Sequence, residues 1–202
     1  MAKAPKYKEQ VFPLAIAKFT YLDTPQEPYD GKGDAQYKIR VLIDDTAENR
    51  ERLDDILNTA RAEAKKNGVK LKKVHKNPLQ YPEDQDEEDY EVAEGKEHAK
   101  LDEDHKDRIF FTTTSKFKPG LIDTARQSLA DGVRIMSGDK VRVKCEVLPY
   151  EGLGSGISFR LKVVQLVEKN TSFAGGQPNT DGFDDIDGFV GTPDDEDEDE
   201  QF

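Results

Sequence analysis

The chain has one cysteine, no tryptophan, three histidines and two methionines in 202 residues. A lone cysteine excludes an intrachain disulfide and fits a reducing compartment. Cys145 stands among alternating valines and reads as a small buried hydrophobe. His75, His98 and His105 are scattered, and no Cys or His pair has zinc-ligand spacing. The glycine-rich stretch 152–156 lacks the Gly-Lys-Ser/Thr of a phosphate-binding loop and leads into a strand pattern. The stretch 184–188 lacks the ligand spacing and distal Glu of a calcium loop. No apolar run approaches the ~18 residues of a membrane span. Residues 1–8 have no apolar core of a signal peptide. These absences predict a soluble cytoplasmic protein with no catalytic residues, no metal, no cofactor and no membrane partner.

What the chain has in excess is acid, and it is segregated. The net charge is -12, from 42 acids and 30 bases. Residues 171–202 hold eleven acids and neither Lys nor Arg, and residues 83–107 hold thirteen acids against three bases. The remaining chain carries 18 acids and 27 bases. A basic body with a detached polyanion is compatible with a nucleic-acid partner, which the overall pI of 4.8 alone would argue against. The C-terminal segment buries too little apolar surface to offset its ordering entropy and is expected to be disordered. It ends Asp194-Asp195-Glu196-Asp197-Glu198-Asp199-Glu200-Gln201-Phe202, a mobile polyanion closed by one aromatic that a partner could grip.

The expected organisation is one domain over 1–170, with an acidic surface insertion at 77–107, and a tail over 171–202. Residues 11–21 read as a first strand, with Phe12, Leu14 and Ile16 on one face and Pro13 marking an edge or bulge. Residues 24–33, with two prolines and two glycines, read as a loop. Residues 37–43 alternate, placing Tyr37, Ile39, Val41 and Ile43 opposite Lys38 and Arg40. A helix follows: Asp45 and Glu48 have capping-box spacing, Leu53, Ile56, Leu57, Ala60 and Ala64 form an apolar stripe, and Asn67-Gly68 stops it. Residues 108–117 read as a strand and 120–132 as a short helix with Leu121, Ile122, Ala125 and Leu129 inward. Residues 140–148 put Val141, Val143, Cys145 and Val147 inward, and 157–167 do the same with Ile157, Phe159, Leu161, Val163 and Val167. Residues 149–156 form the loop between these two strands. The fold class expected is mainly β with α, an OB-fold-like five-stranded barrel with one main helix and a disordered acidic tail.

Basic side chains interleave with aromatics on these strands. Proteins that hold an unpaired strand need both kinds, cations to track phosphates and aromatic faces to stack on bases. The candidates are Lys116, Phe117 and Lys118 with Phe110 and Phe111; Lys140, Arg142 and Lys144 on one sheet face; Arg160 and Lys162 beside them; Lys38 and Arg40; and Tyr150 in the glycine-rich loop. Phe110 and Phe111 cannot both point inward from a regular strand, so one is the surface candidate. A solvated face is the plain alternative for the Lys140 row, and a core position for Phe159.

Five features then resemble one family: the opening Met1-Ala2-Lys3; Thr112-Thr113-Thr114-Ser115-Lys116-Phe117-Lys118; the run Ser137-Gly138-Asp139-Lys140-Val141-Arg142-Val143-Lys144 continuing to Leu148-Pro149-Tyr150; the glycine-rich hairpin into Phe159-Arg160-Leu161-Lys162; and Phe173-Ala174-Gly175-Gly176 before an acidic tail ending in Phe202. The chain resembles the single-stranded DNA-binding proteins of podovirus-type phages, most specifically over residues 138–176. Residues 76–107 match poorly. The resemblance implies an OB-fold that coats single-stranded DNA in phage replication, recombination and repair, in the cytoplasm of the infected bacterial host. It implies a tail that competes with DNA for the basic groove, contacts the phage DNA polymerase and helicase–primase, and supports a homodimer by tail exchange. The competing reading of the same charge is an acidic protein-interaction module, a nucleic-acid mimic or chaperone without DNA affinity.

Overall fold

The computed structural model describes residues 7–28, 31–72, 77–85, 101–151 and 155–170. Among the described residues seven strands make a single sheet: β1 (Glu9–Val11), β2 (Ala15–Gln26), β3 (Gln36–Asp44), β4 (Arg108–Ser115), β5 (Gly120–Ile122), β6 (Lys140–Glu151) and β7 (Ser155–Glu168). The α-helix of the described residues, α1 (Ala47–Lys66), follows β3. Pairing runs β2 to β3, β3 to β4, β4 to β7, β7 to β6, and β6 back to β2, which closes a ring of five strands. The β4–β7 contact is parallel and the others in the ring are antiparallel. β1 and β5 are short additions on β6 and β7. The protein is therefore mainly β with one principal helix, as its periodicities predict. Among the described residues no helix is long and apolar enough to cross a membrane.

The ring interior is filled by alternate strand residues. Phe12, Phe111 and Phe159 meet at its centre with ring centroids 4.7, 4.8 and 4.9 Å apart. Helix α1 lays Leu53, Ile56, Leu57 and Ala60 against the same cluster. Burial of these side chains is the main source of stability. Cys145 lies in this core, where burial pushes its thiol pKa up to about 12 against the opposing effect of the Thr113 hydroxyl.

Several local expectations are corrected. Pro13 divides the predicted first strand: β1 stops at Val11 and β2 begins at Ala15, so Phe12, Ala15 and Ala17 are buried while Leu14 is exposed and Ile16 faces a second, outer cluster. The helix cap is Thr46, not Asp45; its Oγ1 accepts the Asn49 N–H at 3.2 Å. Asp45 instead binds Arg50 at 2.6 Å. Residues 120–132 form no helix. Gly120–Ile122 pairs in parallel with β7, and the Asp123 carboxylate then accepts the Gln127 N–H at 2.9 Å to close a turn. Residues 149–151 and 155–156 extend the β6–β7 ladder rather than forming a loop. On β7 an extra residue at Lys162 makes a bulge, because Cys145 faces Leu161 while Lys144 faces Val163. The bulge reverses the alternation, so Val164 is buried in place of Val163, and Val167 is exposed.

The Ser137-Gly138-Asp139 motif fastens the start of β6 to the end of β7. The buried Asp139 carboxylate accepts from the Met136 N–H at 2.8 Å, the Asn170 N–H at 2.8 Å and Lys169 Nζ at 2.9 Å. Gly138 has φ +95, and a Cβ there would collide with the Asn170 side chain. The described ends of the predicted insertion are built into the body. Gln80 bridges to Phe110, and Leu79, Leu101 and His105 are buried.

Candidate nucleic-acid interface

Register on the outer face of β2, β3 and β4 builds the candidate site. Two rows cross the strands. The first aligns Lys18, Arg40 and Thr112; the second aligns Tyr21, Lys38, Thr114 and, across the β4–β7 contact, Arg160. Bridge partners share a face of the sheet, so each row projects the same way. Between the rows, β2 advances three residues while β3 advances two. The extra residue is accommodated at Phe19, which has φ +48, a left-handed conformation costly for a residue with a Cβ. This bulge sets Phe19 and Tyr21 on the surface; both are substantially exposed.

Arg40 organises the face. Its guanidinium carbon is 5.1 Å from the ring centroids of both Phe19 and Phe110. Its Nε donates to Thr112 Oγ1 at 3.3 Å, and one terminal nitrogen lies 3.1 Å from His105 Nε2. Burial disfavours its charge, with Asp102 acting in the opposite direction. Lys38 donates to Gln26 Oε1 at 3.2 Å, and burial, then the neighbouring Arg40, pulls its pKa below the ordinary lysine value. Two depressions flank these rows and share Thr112 and Thr114. One includes Gln26, Lys32, Asp34 and Lys38; the other includes Arg40, Gln80, Tyr150 and Ser158. Together they form one shallow track from the β2–β3 connection to the β6–β7 hairpin.

The predicted residues divide across this geometry. Lys38, Arg40 and Tyr150 line the track, and Arg160 stands beside it as the bridge partner of Thr114. Phe117 stands just past β4 with 80% of its surface exposed, flanked by exposed Lys116 and Lys118. Lys116 is ion-paired with Asp34 at the track's edge. The expectation that Phe110 or Phe111 is a surface ring is corrected. They do point to opposite faces, but Phe111 enters the ring core and Phe110 is covered by Leu42, Leu101 and His105, leaving them 1% and 4% exposed. Lys140 and Lys144 face outward, yet each meets a carboxylate, Glu168 at 2.9 Å and Glu9 at 2.6 Å. Arg160 and Lys162 share Glu146 at 3.3 and 3.1 Å. Arg142 is exposed and lines a different groove, beside Asp44 and Glu48 at the start of α1. Asp194, Asp195, Glu196, Asp197, Glu198, Asp199, Glu200 and Phe202 lie outside the described residues, as does the expected disorder of their segment.

Lys18, Phe19 and Tyr21 escaped the sequence reading. Strict alternation across 11–21 does not allow for a bulge. The run Lys18-Phe19-Thr20-Tyr21 nonetheless interleaves a cation with aromatics, as the other candidate strands do.

The described fold has relatives of known structure. The single-stranded DNA-binding protein of bacteriophage Enc34 in complex with ssDNA superposes with a TM-score of 0.58 at 15% identity, covering 80% of this chain and 87% of that one. Its C-terminally truncated form gives 0.56 at 14% identity, over 80% and 87%. The single-stranded DNA-binding protein gp2.5 of bacteriophage T7 gives 0.53 at 18% identity, over 84% and 98%. At such identities these likenesses speak for the fold. No curated protein matches the sequence. The sequence profile of the Enterobacter phage Enc34 ssDNA-binding protein matches residues 16–200, nearly the whole chain. The chain belongs to the Enc34-type family of phage single-stranded DNA-binding proteins.

Proposed function

We propose that this protein binds single-stranded DNA without strong sequence preference and coats it during phage replication, recombination and repair. It acts as a binding protein rather than an enzyme. The observation that carries this reading is the β2–β3–β4 face, where Lys18, Lys38 and Arg40 alternate with the exposed rings of Phe19 and Tyr21. Cations at this spacing suit successive phosphates, and exposed rings suit unstacked bases of any identity. Phe117 with Lys116 and Lys118 extends the track at one end, and Tyr150 with Arg160 at the other. Lys140, Lys144 and Lys162 add to the field once their carboxylate partners yield to phosphate, and Arg142 contributes at longer range.

The acidic tail, 171–202, is the regulatory part of the proposal. It competes with DNA for the cationic face and recruits the phage polymerase and helicase–primase through its charge and Phe202. Docking on a neighbour's face would make a homodimer by tail exchange. The host cytoplasm is the site of action.

Titration of a fluorescent poly-dT oligonucleotide across a salt series tests the reading. Log affinity is expected to fall against log salt with a slope of about -0.7 per phosphate contact. A protein lacking residues 193–202 is expected to bind more tightly, chiefly at low salt where charges are least screened. Absence of binding at low salt by either form would overturn the proposal. Weaker binding by the truncated form would overturn tail competition alone.

A further inference from the structure

We infer that Lys18 and Arg40 form a phosphate subsite whose charge is held in check from within the chain, with Asp102 and Asp104 standing where the phosphodiester oxygens of a bound strand would stand. The inference rests on the single-strand-binding reading and adds a named site and a built-in competitor distinct from the C-terminal tail. Lys18 Nζ meets Asp102 Oδ2 at 3.0 Å and also the carboxylate of Asp104. Lys18 is the β2 end of the Lys18–Arg40–Thr112 row, so Asp102 and Asp104 neutralise a cation that belongs to the candidate face.

Residues 101–108 divide into a buried anchor and exposed carboxylates. Leu101 packs with Leu42 and Phe110 and is almost wholly buried. His105 is fully buried, with its ring edge-to-face on Phe110 at 5.0 Å, Nδ1 2.7 Å from Asp102 Oδ1 and Nε2 3.1 Å from Arg40. Arg108 donates to the Asp104 carbonyl at 2.7 Å. The side chains of Asp102 and Asp104, by contrast, are 50% and 56% exposed. An anchor of this kind keeps residues 101–105 seated while the Asp104 carboxylate and the Oδ2 of Asp102 give up Lys18. The Lys18 side chain keeps 15% of its surface exposed beside these half-exposed carboxylates, and a phosphate with its stronger field competes for that open side. Asp102 also caps the 103–105 turn by accepting the Asp104 N–H at 3.1 Å and binds His105. Asp104 meets Lys18 through its carboxylate alone among the contacts described, which makes it the cleaner site to alter.

The test is a double-mutant cycle on the full-length protein, using Asp104→Asn, Lys18→Gln and their combination, with a labelled poly-dT oligonucleotide over a salt series. Asp104→Asn is expected to tighten binding by about three- to fivefold at low salt, the worth of one partly exposed ion pair. It is also expected to steepen the log–log salt slope by about 0.7, one additional phosphate contact. In the Lys18→Gln background the gain is expected to vanish. Equal tightening in both backgrounds would mean a general loss of negative charge and would overturn the subsite. Unchanged affinity of Asp104→Asn beside a wild-type protein that binds would overturn the inference alone. Failure of every form to bind at low salt would overturn the single-strand-binding reading with it. Asp102→Asn supplies a second, independent removal of the same competitor, expected to act in the same direction.

Discussion

The Phe19 ring centroid lies 5.1 Å from the Arg40 guanidinium carbon, although Phe19 interrupts the register of its own strand to reach that position. Its φ of +48 is a conformation the chain maintains for an exposed aromatic, which gains little by burial. Replacing Phe19 by Ala is expected to weaken poly-dT binding by about 1–3 kcal/mol, the range for loss of one base-stacking ring. Phe19→Gly relieves the backbone and is expected to melt no lower than Phe19→Ala while binding as poorly. Full affinity in both variants would remove Phe19 from the interface.

The bulge at Lys162 makes a distinction that alternation alone would reverse. Val164→Ala empties part of the core and is expected to cost about 2 kcal/mol. Val163→Ala, at a half-buried position, is expected to cost clearly less. Denaturant unfolding of the two variants decides, and the opposite order would contradict the register of β6 and β7.

Burial lowers the His105 pKa from 6.5, Asp102 opposes the shift, and Arg40 adds to it. The unfolded chain therefore binds more protons than the folded one just below pH 6.5, and stability is expected to fall as the pH drops through that window. The Asp102 carboxyl contributes in a separate window. Burial raises its pKa, but Lys18 and His105 more than offset this and hold it below 3.8, so its contribution is lost only at acid pH. Melting temperatures between about pH 7 and pH 5 should decline in the wild type and flatten in His105→Gln. Equal slopes would show that His105 is not the titrating group.

Cys145 is fully buried and its thiol is pushed up to about 12. It is expected to resist thiol reagents at neutral pH in the native protein and to react at once in denaturant, because the thiolate is the reactive form. Fast labelling under native conditions would show that the ring opens locally around β6.

Gly138→Ala is expected to destabilise the protein measurably, since φ +95 is strained for a residue with a Cβ and the Asn170 side chain would have to move aside. The loss should appear as a lower melting temperature. Unchanged melting would mean that the Asp139 turn relaxes freely.

Much of this architecture was legible in the sequence because it follows from local periodicity. The apolar stripe of α1, its Asn67-Gly68 stop, and the inward set Val141, Val143, Cys145 and Val147 all read directly from spacing. The misread strand faces share one cause. Pro13, the bulge at Phe19 and the bulge at Lys162 each shift the phase of a strand, and a shift of one residue exchanges its two faces. Residues 120–122 read as helical because parallel pairing with β7 is a long-range choice that their own sequence does not encode.

By itself the sequence determined the mainly β class with one helix, the segregation of charge, and the family resemblance carried by residues 138–176. Tertiary structure decided which cations share a face. Lys18, Arg40 and Thr112 are distant in the chain and meet only through strand pairing. It also decided which aromatics remain outside. Phe111 packs into the ring and Phe110 beneath Leu101 and His105, whereas a bulge carries Phe19 out to solvent. Periodicity is written by neighbours a few residues apart, and charge by composition. A binding face is made by register between strands, which only the closed ring fixes.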